Sequence, residues 1–261
     1  MRKVLMIAPV AVLAALGASM STAQDGEQGS AASASRGYDL AGFEEIAVVG
    51  PHHVVVTVGP AFSVRAEGPQ QTLADTEVEV KDGRLEIHPL DDEAYWDRRC
   101  PGHDTWRGRC WDDYQPATFY VTLPRISEAS LIGGGDMHID RVEGDGFSAT
   151  VAGSGDLDVA ALRVDDARFS IAGSGTLAAR GSARHSRVSV AGSGTLRARE
   201  VTSAEATISI AGSGNAALTV QDDARVSVVG SGDVDIAGPA HCAVSRFGGG
   251  RVRCNGEEVA S

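Results

Sequence analysis

Two groups of residues in this 261-residue chain could do chemistry: acids that recur at fixed spacing, and an aromatic cluster around two cysteines. Asp136 follows Gly-Gly-Gly, Asp156 and Asp233 each follow Gly-Ser-Gly, and Asp158 and Asp235 stand two residues beyond the last two. Glycan cleavage needs two carboxylates converging on one bond, with an Arg or Lys nearby to stabilise charge. The spacing argues against such a pair. The copy after Asp156 and Asp158 carries Thr176 and Ala178, and Asp233 and Asp235 lie four copies along, so no carboxylate ladder is expected across adjacent turns. The recurring Gly-Ser-Gly is not the Gly-x-Ser-x-Gly nucleophile elbow. Its serines repeat without a paired histidine, and His52-His53 is the only adjacent pair among the 7 histidines. No catalytic residue is assigned, and a non-enzyme is expected. A calcium β-roll would repeat every nine residues with Asp in nearly every turn, whereas Thr176, Thr195 and Asn215 fill the same place here. Those side chains are expected to cap their turns through hydrogen bonds to backbone. No metal and no cofactor is expected.

The segment from Asp91 to Gln115 has a different character. It holds all three tryptophans, Trp96, Trp106 and Trp111, together with Tyr95, Tyr114, Cys100, Cys110 and many charges. Rings that take apolar faces, beside carboxylates and guanidiniums, suit a binding loop. The alternative is a lid, with the tryptophans packed over the core. Zinc at Cys100, His103 and Cys110 would lack a fourth ligand. In an exported protein the two cysteines are expected to form a disulfide, as are Cys242 and Cys254.

The rest of the chain is organised by a repeat. Gly-Ser-Gly occurs at 153–155, 173–175, 192–194, 212–214 and 230–232, with Gly133-Gly134-Gly135 before them and Gly248-Gly249-Gly250 after. The steps are 18 to 20 residues, a solenoid period. Two residues before each first glycine stand Leu131, Val151, Ile171, Val190, Ile210 and Val228. Two earlier come Ala129, Ala149, Phe169, Val188, Ile208 and Val226, and between the columns every copy has a hydroxyl. Apolar residues recur again four and six residues after that glycine, from Met137 and Ile139 onward. Period-2 alternation makes these strands with one buried face. A single copy cannot bury that face, but copies stacked at about 4.8 Å can. The expected fold is all-β: a right-handed parallel β-helix of about six turns over residues 126–250. Each copy should read strand, corner, strand and a variable return, with Ser/Thr ladders outside. A less regular strand-rich cap is expected over 38–125, and a loose tail over 251–261.

The repeated Val-Ser-Val-Ala-Gly-Ser-Gly-x-Leu, as at Val188 to Leu196, resembles the bacterial family called putative auto-transporter adhesin, head GIN domain. So does the last full copy, from Ser227 to Pro239. The resemblance covers roughly Phe43 to Pro239. It implies a β-helix protein of the bacterial envelope and carries over no catalytic residues.

Residues 1–23 read as a secretory signal: Arg2 and Lys3, an apolar run from Val4 to Ala18, and small residues up to Ala23. Residues 24–37 are Ser, Ala, Gly and polar residues and read as a disordered tether. Removing Arg2 and Lys3 takes the formal charge from −12 to −14, which argues against nucleic acid or anionic lipid as a partner. No span is expected to remain in a membrane after cleavage. The expected function is an exported, non-catalytic binding module, in the periplasm or on the outer surface, for a surface glycan or an envelope protein. A ligand-free scaffold and a polysaccharide-active enzyme are the alternatives.

Overall fold

The computed structural model describes residues 33–90 and 115–259. The signal, most of the tether, the Cys100–Cys110 pairing and the aromatic residues Tyr95, Trp96, Trp106, Trp111 and Tyr114 lie outside these. The repeats stack as a parallel β-solenoid of about six turns. Strands β8 (Glu128–Gly133) and β9 (Asp136–Ile139) make the first repeat coil. They are followed by β10 (Val142–Gly153), β11 (Asp156–Gly173), β12 (Thr176–Gly192), β13 (Thr195–Gly212) and β14 (Asn215–Gly230). Strands β15 (Asp233–Ala237), β16 (His241–Phe247) and β17 (Val252–Cys254) complete the stack. Equivalent positions pair in register, so each inward column is a continuous buried ladder, for example Leu131, Val151, Ile171, Val190, Ile210 and Val228. Large and small residues alternate along the columns. Phe169 lies between Ala149 and Val188, and Phe147 lies against Ala167, which keeps the narrow interior filled.

The return differs from the expected variable loop. Strands β11 and β13 each run 18 residues from one corner to the next. Leu162, Val164 and Ala167 are buried there, so the return is a further strand side of the coil. The chain bends at register shifts, between Val159 and Leu162 and between Ala198 and Thr202, rather than leaving the sheet. Where a serine faces inward it is satisfied: the buried Ser186 and Ser203 hydroxyls bond to each other at 2.6 Å.

The Gly-Ser-Gly corners are also part of the ladder. The Ser154 and Gly155 N–H groups both donate to the Gly133 carbonyl, at 2.9 and 3.0 Å, and Ser174 N–H donates to Gly153 at 2.8 Å. The first glycine adopts positive φ, +132° at Gly153 and +117° at Gly192, which an L side chain resists.

The N-terminal region is threaded out of order. Strands β2 (Glu45–Val49) and β3 (His53–Val58) stack parallel on β8 and β9. On their other side lie β6 (Arg84–Pro89) and β7 (Thr118–Leu123), also parallel, so the outermost coil follows its neighbour in the chain. Antiparallel strands then cover the open edges. Strand β4 (Ser63–Pro69) pairs with β7, β1 (Ser33–Tyr38) with β4, and β5 (Thr76–Lys81) with β6. This protects strand edges that would otherwise invite aggregation. Asp82 and Gly83, with φ of 50° and 80°, form the tight turn between β5 and β6 that an Asp-Gly pair predicts. One short helix, α1 (Gln70–Ala74), tucks Leu73 into the core.

Part of the stretch expected to be a tether is a strand. Residues 33–37 belong to β1, which joins the sheet by backbone pairing while its side chains stay largely exposed, so it shows no apolar pattern. The C-terminal tail needs the same correction. Val252 and Cys254 are buried in the last coil, and β18 (Glu257–Glu258) folds back on β17 through Asn255 and Gly256, both at positive φ. The Cys242–Cys254 disulfide forms, with Cα atoms 6.5 Å apart, across the open end of the core. Arg246 closes the same end: it stacks on Val228 and donates to the Gly250 carbonyl at 2.8 Å. A Cys242→Ser/Cys254→Ser variant is expected to lose about 2 kcal/mol. Because each coil contacts only its neighbours, hydrogen exchange should show the loss confined to residues 241–258, with Gly173 to Gly212 still protected.

Candidate functional site

In-register stacking turns each repeat position into a column, so the surface is a set of ladders. On the face before the corner, the hydroxyls Ser130, Thr150, Ser170, Ser189, Ser209, Ser227 and Ser245 form one outward column. Beside it runs Ile132, Ala152, Ala172, Ala191, Ala211, Val229 and Phe247. On its other flank runs Glu128, Ser148, Arg168, Arg187, Thr207, Arg225 and Ala243. From Arg187 onward every member of the three columns is exposed, and Phe247 is 79% exposed. The arginines stand in the sequence five residues before Gly173, Gly192 and Gly230, visible once the copies are written one under another.

The face after the corner carries the acids. Asp136 and Asp156 are direct partners on adjacent coils, so a short carboxylate ladder does form, contrary to expectation. The Gly133-Gly134-Gly135 corner is a full repeat, and it places Asp136 in line with Asp156. These acids are engaged. His53 Nδ1 lies 2.9 Å from Asp136, and His138 Nδ1 lies 3.0 Å from Asp158. Arg180 bridges Asp158, at 3.0 Å, and Glu200, at 3.6 Å. Arg199 pairs with Asp235, and Arg251 pairs with Asp233 at 2.8 Å. The hydrogen bond from Arg251 holds the Asp233 carboxyl below the usual range. Asp156 Oδ1 accepts from the Thr176 N–H at 3.2 Å, Asn215 from the Asp233 N–H at 3.3 Å, and Asp233 from the Arg251 N–H at 2.9 Å. Each thus caps the turn of the next coil. A depression of about 540 Å³ lies beside Asp158, Arg180, Arg197 and Glu200. Of its acids, Asp158 and Glu200 are paired with Arg180, and Asp156 accepts from backbone.

One group of potential metal ligands comes together among the described residues: Glu79, Glu86 and His88 on the β5–β6 hairpin. Lys81 pairs with Glu79, and His88 Nε2 lies 3.3 Å from it, so a cation already occupies that carboxylate.

The aromatic segment lies in the chain between Leu90, after β6, and Gln115, before β7. Its roots are fixed. Leu90 N–H donates to Asp75 O at 2.8 Å, Thr72 Oγ1 to Gln115 O at 2.8 Å, and Ala117 N–H to His52 Nδ1 at 3.4 Å. His52 is buried against Phe119, and burial, with a smaller effect of His53, pushes its pKa down to about 4.

These features define a capped parallel β-solenoid with flat, in-register lateral faces. The chain belongs to the family described as putative auto-transporter adhesin, head GIN domain, which matches residues 42–240. Solved structures share the fold. A putative adhesin from Bacteroides fragilis matches with a TM-score of 0.73 and 19% identity, over 85% of this chain and 96% of that one. A putative adhesin from Parabacteroides distasonis gives 0.64 and 19%, over 86% and 97%. A putative lipid binding protein from the same species gives 0.63 and 19%, over 84% and 95%. No curated protein matches the sequence.

Proposed function

We infer that this chain is a non-catalytic, exported protein of the bacterial envelope that holds a surface glycan or an envelope protein on a lateral face of the solenoid. The aromatic segment 91–115 supplies a second contact. The observation that carries this reading is the face before the corner, where exposed hydroxyl, small apolar and arginine ladders run side by side. The adhesin description of the family and of its structural neighbours points the same way, and implies export. No helix among the described residues is long and apolar enough to cross a membrane. Catalysis fits less well, because the stacked acids are tied to histidines and arginines or to backbone. A lipid fits less well than a glycan, because two depressions on the face after the corner are lined largely by Asp, Arg, Thr and Ala.

Capture from envelope extracts and a glycan array, with the protein beside a Trp96→Ala/Trp106→Ala/Trp111→Ala variant, tests this reading. Wild type is expected to retain a partner, and the triple variant, folded by circular dichroism, to lose at least about tenfold in affinity. A variant that unfolds makes the tryptophans a structural lid and leaves the lateral face as the contact. Wild type that captures nothing overturns the reading in favour of a scaffold.

A further inference from the structure

The face before the corner is charged oppositely to the protein as a whole. The chain carries −12, yet from β10 to β16 the three outward columns of this face contain Arg168, Arg187 and Arg225 and no acid. The nearest acid in the arginine column, Glu128, is paired with Arg84 at 2.9 Å. None of the three arginines has an ion pair among the described residues. Acids flank the face on one edge, where the column two residues before the arginines holds Asp166, His185, Glu205 and Asp223, with Asp166 3.7 Å from His185. The arginine column stands between these acids and the hydroxyl and alanine columns, so a ligand lying on the latter two meets the guanidiniums first.

We propose that this face binds an extended acidic polysaccharide, lying along the solenoid axis with its anionic groups on Arg168, Arg187 and Arg225. The proposal rests on the binding-module reading above and names its ligand class. Arg168 and Arg187 are direct partners on adjacent coils, a like-charge contact that a bound anion relieves. Arg225 stands two coils from Arg187, about 10 Å along the axis. A guanidinium takes a carboxylate or sulfate in a two-point fork. The hydroxyl ladder beside the arginines, with Ser189 next to Arg187 and Ser227 next to Arg225, offers donors and acceptors at every coil for sugar hydroxyls. The alanine column next to it is a flat floor for sugar C–H faces, and Phe247 ends it with an exposed ring. Nucleic acid fits less well, since single strands want repeated aromatic platforms and this face has one. A lipid surface fits less well, since large exposed apolar side chains stand only toward its ends, at Ile132, Val229 and Phe247.

The test uses polygalacturonate as probe and dextran as a neutral polymer, with affinity read by biolayer interferometry. The full protein is compared with Arg168→Gln/Arg187→Gln/Arg225→Gln and, as a control on the other face, Arg197→Gln/Arg253→Gln, all checked for folding by circular dichroism. Wild type is expected to bind polygalacturonate, weaken as salt rises, and ignore dextran. The triple variant should lose at least about tenfold and the control less than about twofold. A triple variant that binds like wild type, a control that loses as much, or equal binding to dextran overturns the proposal. So does tighter binding of duplex DNA or of phosphatidylglycerol vesicles. If polygalacturonate is not bound while envelope capture succeeds, the acidic-glycan assignment falls and the binding-module reading stands. If both fail, both fall.

Discussion

Gly192→Ala is expected to unfold the centre of the solenoid, at a cost of about 4 kcal/mol or more. Two effects add. Gly192 has φ of +117°, so an L residue is strained there regardless of space. A Cβ would also stand 2.5 Å from the carbonyl oxygen of Gly173 one coil below, and that oxygen is bonded by the Ser193 N–H and cannot move alone. Relief requires the two coils to part, which breaks the corner ladder and opens the core columns on both sides. Gly194→Ala should be as severe for a different reason, since its Cβ would stand 2.4 Å from Ile171 Cγ2 in the core. Ser193→Ala, between them and exposed, should shift stability by no more than about 0.5 kcal/mol. Urea denaturation of the three variants checks this. A Gly192→Ala protein as stable as Ser193→Ala would show that the corner tolerates a wider spacing than its geometry allows.

Acid should destabilise the protein before its carboxylates titrate, through His52. Its pKa is about 4 in the folded state against 6.5 when free, chiefly because burial disfavours the imidazolium. The unfolded chain therefore takes up this proton first as pH falls. The stability tied to neutral His52 is fully present above pH 6.5, drains away as pH falls toward about 4, and changes no further below that. The loss amounts to roughly 3 kcal/mol. Protonation also turns Nδ1 into a donor facing the Ala117 N–H, which loosens the root of the aromatic segment. Asp165 and Asp233, each bonded to an arginine, have carboxyls held below their ordinary values, so their contribution falls at lower pH still. Urea titrations between pH 7 and 4 should show the slope, and His52→Gln, which can still accept from Ala117, should flatten it. An unchanged slope in His52→Gln would assign the acid sensitivity to other groups.

The solenoid was legible in the sequence because its physics is columnar. A glycine that needs positive φ, and an inward residue that must meet its own kind one coil away, leave marks at a constant period. What escaped reading lacks that mark. Strand β1 is bound through its backbone, so a Ser- and Ala-containing stretch looked like a tether. The order of β2, β3, β6 and β7 depends on which edge each strand finds, and alternation alone does not encode that. The Asp136–Asp156 contact was missed because Asp156 and Asp158 were compared with the copy that follows them, which carries Thr176 and Ala178, and not with the copy before. The arginine column belongs to the outward positions, where no burial constrains residue type, so it emerges only after the register is fixed.

The out-of-order threading gives the N-terminal end a mechanical character that a plain coil lacks. In a simple solenoid, tension on a terminus unwinds one ladder at a time, as a thread leaves a spool. Here β2 and β3 are clamped between β6–β7 on one side and β8–β9 on the other. A pull on the chain ahead of Ser33 first peels β1 from β4, and then must draw a layer from between two others, rupturing both of its ladders together. Force that reaches this end is thus resisted by a lock in the weave, while the repeating coils behind it stay wound.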